Sequence, residues 1–224
     1  MKVLLTTARN RLVQHLSQAL AVRHRVVLTD TLPVRSRHPF VPCNLNHDTE
    51  TRRLVEGMEA IIWTGWTDPA EDVSFRLDRQ TRCLYNLLRA ASEAGVPRVV
   101  QLSSLEIMDR YPAGLRVTER WLPRPDEEPP ALAYRLGEIV CREFAREGKL
   151  QAVCLRLGSI LWDTEHSCPD GVTAQDAVEA VGRSLTAELP GYSVFHIQSG
   201  LPGQRYVTER ARRILGFEST WRPA

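Results

Sequence analysis

Apolar positions in the first 160 residues fall into short runs that alternate with stretches of helical periodicity. "KVLL" (2–5), "HRVVLTD" (24–30), "EAIIWTG" (59–65), "RVVQLSS" (98–104) and "QAVCLRLGSIL" (151–161) lack a polar face, as strands covered on both sides do. Between them, "RLVQHLSQALAV" (11–22) sets Leu12, Leu16, Ala19 and Leu20 on one helical face. "SFRLDRQTRCLYNLLRAASEAG" (74–95) reads as one long helix stopped by Gly95 and Pro97. "ALAYRLGEIVCREFAREG" (131–148) carries a stripe of Leu132, Leu136, Ile139, Val140 and Phe144. "VPCNL" (41–45) predicts a short strand and "TETRRLVEGM" (49–58) a brief helix. Beyond residue 162 the rhythm loosens into a helix, "TAQDAVEAVGRSLTAEL", a strand, "YSVFHIQSG", and a final helix, "RYVTERARRILGF".

Strand and helix in alternation predict an α/β fold with a doubly wound parallel sheet and right-handed crossovers. A barrel would need eight such units. Composition supports an ordinary globular chain, with 43% hydrophobic and 25% charged residues among 224. Of its 29 basic residues only Lys2 and Lys149 are lysine. The arginines are interspersed with acids, as in Arg76/Asp78/Arg79, so the surface is mixed in charge and no nucleic-acid stripe is expected. The five cysteines are scattered without a C-x-x-C pair, which predicts free thiols in a reducing compartment. His166 and Cys168 lack a second ligand pair, so no metal site is expected. No segment approaches the ~18 apolar residues of a membrane span, and "VLL" is too short for a signal-peptide core, so a cytoplasmic protein is expected.

Five pieces in order carry a resemblance. "LLRAASEAGVPRVVQLSS" resembles a helix, G-V-x-R and serine-ended strand; "EGMEAIIWTGW" stands at a G-x-D-x-V-x-H-x-A-A segment; "AYRLGEIVCREFA" at Y-x-x-x-K; "VCLRLGSIL" at an R-P-G strand; and "VFHIQSG…ARRILGF" at a C-terminus. Together they resemble the extended short-chain dehydrogenase/reductase family, the NAD-dependent epimerase/dehydratase group. The resemblance implies a Rossmann-like fold in one domain, 1–224, with a nucleotide-binding core over 1–161 and a strongly reduced C-terminal substrate portion over 162–224.

The resemblance also implies a dinucleotide site that this chain has altered. The family's T-G-x-x-G-x-x-G turn puts Thr7, Asn10 and Val13 at its glycines, where the backbone must turn tightly and approach a pyrophosphate. Asn10 tolerates a left-handed backbone, Val13 is expected to push the helix outward, and the N–H groups toward Leu12 remain available to an anion. Arg9 and Arg11 flank the turn as charges for phosphates, with surface solvation the plain alternative. Asp30 stands where an acid receives adenosine ribose hydroxyls and favours NAD over NADP, or is a turn aspartate; Arg35 and Arg37 are placed for a 2′-phosphate. Asn44 and Leu45 take the adenine-flanking places, and Thr64 and Gly65 line the strand end opposite. NAD or NADP binding is therefore expected to be weakened.

The catalytic positions are divided. Ser104 matches the family serine and Tyr134 its tyrosine, but the lysine four residues on is Glu138. Positions i and i+4 share a helix face, so an acid there is expected to raise the phenol pKa. About ten residues, Trp162 to Gly171, replace the family's substrate lobe, leaving a shallow pocket lined by Trp63, Trp66, Met108, Trp121 and Trp162. The losses predict a non-catalytic or impaired descendant that serves as a scaffold, regulatory or ligand-binding protein. The alternative is an active NAD(P)-dependent oxidoreductase or epimerase using Ser104 and Tyr134 on a small sugar-like or carbonyl substrate. The resemblance further implies a homodimer through the helices at 74–94 and 131–147, with Leu84, Leu88 and the stripe from Leu136 to Phe144 at the interface; a protein partner is also open.

Overall fold

The computed structural model describes residues 1–65, 72–162 and 168–221. Seven strands, β1 (Lys2–Leu5), β2 (Arg25–Asp30), β3 (Phe40–Pro42), β4 (Ala60–Trp63), β5 (Arg98–Ser104), β6 (Gln151–Leu157) and β9 (Tyr192–Ile197), form one sheet in the order β3-β2-β1-β4-β5-β6-β9. Every pairing in it is parallel. β7 (Ser159–Leu161) and β8 (Gly171–Thr173) make a separate two-stranded parallel ribbon.

Helices α1 (Arg11–Leu20) and α6 (Ala174–Thr186) cover one face, and α2 (Thr49–Val55), α4 (Leu84–Glu93) and α5 (Ala131–Arg146) the other. The twofold alternation of strand side chains produces the two cores. Val3 and Leu5 pack with Leu12, Leu16, Ala177 and Val181, while Leu4 packs with Ile61, Leu84, Leu87 and Cys141. Each such buried leucine contributes about 2 kcal/mol by apolar burial. A third, smaller cluster joins Leu105, Ile107, Met108, Tyr111, Val117, Tyr134 and Tyr206 above the strand ends.

The strand order reverses between β1 and β4, so the crevice at their carboxyl ends is where an open parallel sheet binds ligands. The predicted long helix over 74–95 is one continuous helical run, α3 (Val73–Asp78), a π-helical turn (Arg79–Cys83) and α4, with right-handed helical backbone at both junctions. The wide turn buries Arg79 and Gln80 below the crevice, in a chain whose sequence pattern shows only continuous helix.

The strand predicted over 151–161 ends at Leu157, because Gly158 lets Asp170 O come within 2.0 Å of where a Cβ would stand; no other residue fits there. The final helix shrinks to the turn Ala211–Leu215, since residues upstream run extended and bridge Val117 to Tyr206. Val13 does not stand proud of the sheet: it is fully buried with Leu5, Leu16 and Leu28, and α1 accommodates it by packing. Leu84 and Leu88 are also fully buried inside the chain, which removes them from any dimer face.

Candidate functional site

The β1–α1 turn keeps a glycine's shape without glycine. Thr7 sits in the left-handed region at φ 55°, an outlier for a β-branched residue. Asn10, expected to supply that conformation, is extended at φ −66° and ψ 135° and serves as the N-cap of α1. Its Oδ1 accepts from the N–H groups of Leu12 at 2.8 Å and Val13 at 3.3 Å. Donors expected to be open to an anion are thus satisfied within the turn.

Asp30 is drawn into the same turn. Its carboxylate accepts from the N–H of Arg9 at 3.0 Å and of Thr31 at 2.7 Å, and the Arg9 guanidinium closes over it at 3.5 Å. The Asp30 side chain is 1% exposed and that of Arg9 47% exposed, so the arginine is the group a ligand meets first. Arg11 stacks on Trp162 with its guanidinium carbon 4.0 Å from the ring centroid, and His15 meets the same ring edge-on. Asn44 is exposed, whereas Leu45 is buried with φ 54° and its carbonyl accepts from Asn86 Nδ2 at 3.0 Å.

Across the crevice, Thr64 and Thr6 link the two strand ends. The Thr64 N–H donates to Thr6 Oγ1 at 3.2 Å, and Thr64 Oγ1 donates to Thr6 O at 3.3 Å. Gly65 has φ 56°, and an added Cβ would lie 2.4 Å from Gln80 Nε2 and 2.6 Å from Trp63 Nε1. The space is filled by polar groups: Trp63 Nε1 donates to Gln80 Oε1 at 3.0 Å. Trp63, expected to line a pocket, is therefore buried in the core, and Met108 is fully buried as well. Trp121 and Trp162 are half-buried; Trp66 and His166 lie outside the described residues.

At the end of β5, Ser104 Oγ accepts from the Glu106 N–H at 3.2 Å, capping the turn Leu105–Met108. Tyr134, on the first turns of α5, is 7% exposed within the third cluster. Burial and then the Glu106 carboxylate raise its phenol well above the usual range, so it stands as a neutral acid. Burial, together with Asp109, raises Glu106 in turn.

Glu138 neither sits in solvent nor supplies the charge that acts on Tyr134. It is fully buried and grips Arg156 of β6 in a two-pronged pair, Oε1 to Nε and Oε2 to Nη2, both 2.8 Å. Ser103 Oγ donates to it at 2.9 Å, Cys154 Sγ at 3.3 Å and Arg135 Nη1 at 3.3 Å. Burial alone would raise this carboxyl; Arg156 and the other donors hold it below the ordinary value. Behind Arg156, His196 Nε2 lies 3.4 Å from Nη1, and burial followed by the Arg156 charge pushes that imidazole down to about 3.

Sequence reasoning singled out Glu138 but missed its partner. A lone arginine in the apolar run "VCLRLG", and a histidine in "VFHI", are the available signals, since buried charge implies a partner on a neighbouring element. Arg79 and Gln80 were missed because polar residues on a helix are read as its solvated face, although they continue the buried stripe of Cys83, Leu84, Leu87 and Leu88.

The arrangement can be compared with known proteins. The sequence signature of the NAD dependent epimerase/dehydratase family matches residues 10–167. No curated protein sequence matches the chain. Among solved structures, glucuronic acid dehydrogenase from Chromohalobacter salexigens superposes with a TM-score of 0.86 at 21% identity, covering 98% of this chain and 84% of that one. Uronate dehydrogenase from Agrobacterium tumefaciens gives 0.87 at 22% identity, with 98% and 84% covered. UDP-N-acetylglucosamine 4-epimerase from Bacillus cereus gives 0.81 at 15%, with 99% and 94% covered. At these identities the likeness speaks for the fold. Among the described residues no group of three or more metal-ligating side chains occurs, and no helix is long and apolar enough to cross a membrane.

Proposed function

The chain belongs to the NAD dependent epimerase/dehydratase family, and from that premise we propose that it binds a nicotinamide dinucleotide at the ends of β1 and β4 and reduces a small carbonyl or sugar-like substrate. The observation that carries the direction is the environment of Tyr134. A phenol held neutral by burial and by Glu106 is suited to giving up a proton to a developing alkoxide, and poorly suited to taking one from an alcohol.

The residues present fit the dinucleotide in part. The Thr7 turn preserves the sharp backbone path, and the buried Arg79 guanidinium has an Nε without a partner among the described residues. Arg79, Thr7 and Arg11 would hold the diphosphate, with Arg9 over Asp30 toward the adenosine end. A reduced nicotinamide, when held there, would supply the hydride that a substrate carbonyl accepts. Tyr134 then donates the proton at its Oη, and Ser104, once its hydroxyl turns from the Glu106 N–H, orients the substrate oxygen. Glu138 and Arg156 fix α5 against β5 and β6, which sets the position of Tyr134 one turn away. Asp30 lies beneath Arg9, so the exposed guanidinium, and not the carboxylate, is the charge that would face the adenosine ribose, and NAD and NADP both enter the test.

The experiment is to follow oxidation of NADH and NADPH with a panel of small aldehydes, ketones and uronic sugars. Turnover should vanish in Tyr134→Phe and stay flat from about pH 6 to about pH 9, since the phenol remains protonated throughout that range. Turnover that climbs with pH, or that survives Tyr134→Phe, would overturn the assignment.

A second reading, ligand binding without turnover in a scaffold or regulatory role, is favoured by one observation: the turn and crevice satisfy their own donors through Asn10 and the Thr6–Thr64 link. Saturable dinucleotide binding with no consumption on any substrate would decide for it. On either reading the chain pairs with a second copy through α4 and α5. The half-buried stripe of Leu136, Ile139, Val140 and Phe144 lies beside Tyr85, which is 46% exposed and meets Phe144 edge-on. A monomer by light scattering at tens of micromolar chain would count against this pairing.

A further inference from the structure

Among the described residues at the strand-end crevice, Arg79 is a charge that the internal packing does not account for. It is 7% exposed, and its guanidinium reaches from the π-helical turn to Thr7, Nη2 donating to Oγ1 at 3.1 Å. Its Nε has no hydrogen-bond partner among the described residues, and no carboxylate among them lies within ion-pair distance. The nearest acid it influences, Asp78, is engaged by Arg82 through two 2.7 Å hydrogen bonds. The ring of Phe75, 5.7 Å away, lies against it and brings no negative charge.

A guanidinium withdrawn from water without a counter-ion is costly to hold, and a fold keeps such a group where a charge arrives with a ligand. Its location says which ligand. Arg79 anchors on the residue that occupies the first glycine place of the turn, and the N-terminus of α1, a helix of ten residues, points at the same spot. There Asn10 has already taken the Leu12 and Val13 N–H groups, so the backbone no longer offers an anion what a glycine turn would.

We infer that Arg79 is the counter-charge for a phosphoryl group bound at the β1–α1 turn, a side-chain fork that replaces the backbone N–H groups lost with the glycines. This deepens the dinucleotide reading above and rests on it for the identity of the natural ligand, but the anion site itself stands on Arg79 and Thr7. Arg79 and Gln80 lie on the π-helical turn itself, at the head of the buried stripe that continues through Cys83, Leu84, Leu87 and Leu88.

The test uses the full chain and inorganic pyrophosphate as the probe, read by thermal unfolding and calorimetric titration. Pyrophosphate should raise the melting midpoint of the wild type, with an affinity that falls as salt rises. Arg79→Gln should weaken that affinity roughly tenfold or more, and Arg79→Lys, which keeps the charge but loses the fork, by an intermediate factor. If Arg79→Gln fails to fold, Arg79→Lys carries the test, and an affinity within about twofold of wild type overturns the inference. So does a wild type indifferent to pyrophosphate, or an Arg79→Gln protein that binds it as well as the wild type. NAD and NADP titrated in parallel separate the two claims. Arg79-dependent pyrophosphate binding without dinucleotide binding sinks the dinucleotide reading and keeps the anion site; dinucleotide binding untouched by Arg79→Gln does the reverse.

Discussion

The β1–α1 turn, which makes a left-handed step without glycine, and the interior between α5, β5 and β6, which holds a fully buried carboxylate, meet their physical demands differently. The turn contains no glycine, and its left-handed step falls on a β-branched residue. Thr7 adopts the left-handed conformation itself, Asn10 caps the helix, and Val13 is packed into the core. Such local strain costs on the order of 1–3 kcal/mol, which a well-packed neighbourhood can hold. In the interior, a buried charge at position 138 would be far more expensive if left alone. It is met by a partner on another strand, with Ser103, Cys154 and Arg135 completing the carboxylate's hydrogen bonds. Conformational losses are tolerated one residue at a time, whereas buried charge must be answered from elsewhere in the fold.

Breaking the interior pair should have the largest effect. Glu138→Gln leaves Arg156 buried and uncompensated, and about 3–5 kcal/mol of stability should disappear in denaturant unfolding. Glu138→Lys, the change that would restore the family's residue, should be worse, because it places an ammonium against Arg156; the substitution should unfold the chain before it could revive any chemistry. The paired change Glu138→Leu with Arg156→Met should come out near neutral, and a double mutant as unstable as Glu138→Gln alone would refute the account of mutual compensation.

The next effect is on pH. His196 is held neutral, with its folded pKa about 3 against 6.5 when unfolded. Between those values the unfolded chain binds the extra proton, so the stability from a neutral His196 is present above pH 6.5 and is lost as pH falls toward 3. The slope from this group should approach about 1.4 kcal/mol per pH unit, and His196→Phe should flatten it. An unchanged slope in that variant would place the acid sensitivity elsewhere.

At the turn the expected effects are smaller. Asn10→Ala should cost about 1 kcal/mol through loss of the N-cap, while freeing the Leu12 and Val13 N–H groups and tightening pyrophosphate binding. Thr7→Gly relieves the left-handed strain but adds backbone freedom to the unfolded chain, so its net gain should stay under about 1 kcal/mol. A large loss of stability in Thr7→Gly would show that the Arg79–Thr7 contact matters to the fold and not only to an anion.

Much of this protein was legible before any coordinates. Runs such as "KVLL" and "RVVQLSS" became strands with the predicted ends, since apolar residues on both faces can be satisfied only between two layers of helices. The parallel sheet followed from the alternation of strands and helices, and the family from the resemblance of five pieces of sequence; the switch point between β1 and β4 came only with the structure. The helix over 74–95 was legible as a helix, but the π-helical turn inside it was not, because such a turn has no periodicity of its own to detect. Asp30 was legible as a strand-end acid, but its closure under Arg9 was not, since that depends on a loop folding back.

The sequence by itself determined the layered α/β sheet and put Ser104, Tyr134 and Glu138 on neighbouring elements, because hydrophobic period and chain order are local properties. Which charge meets which was decided only in three dimensions. Glu138 finds Arg156 across 18 positions, and Arg79 finds Thr7 across 72. Electrostatic interaction depends on distance and burial, and neither is written along the chain.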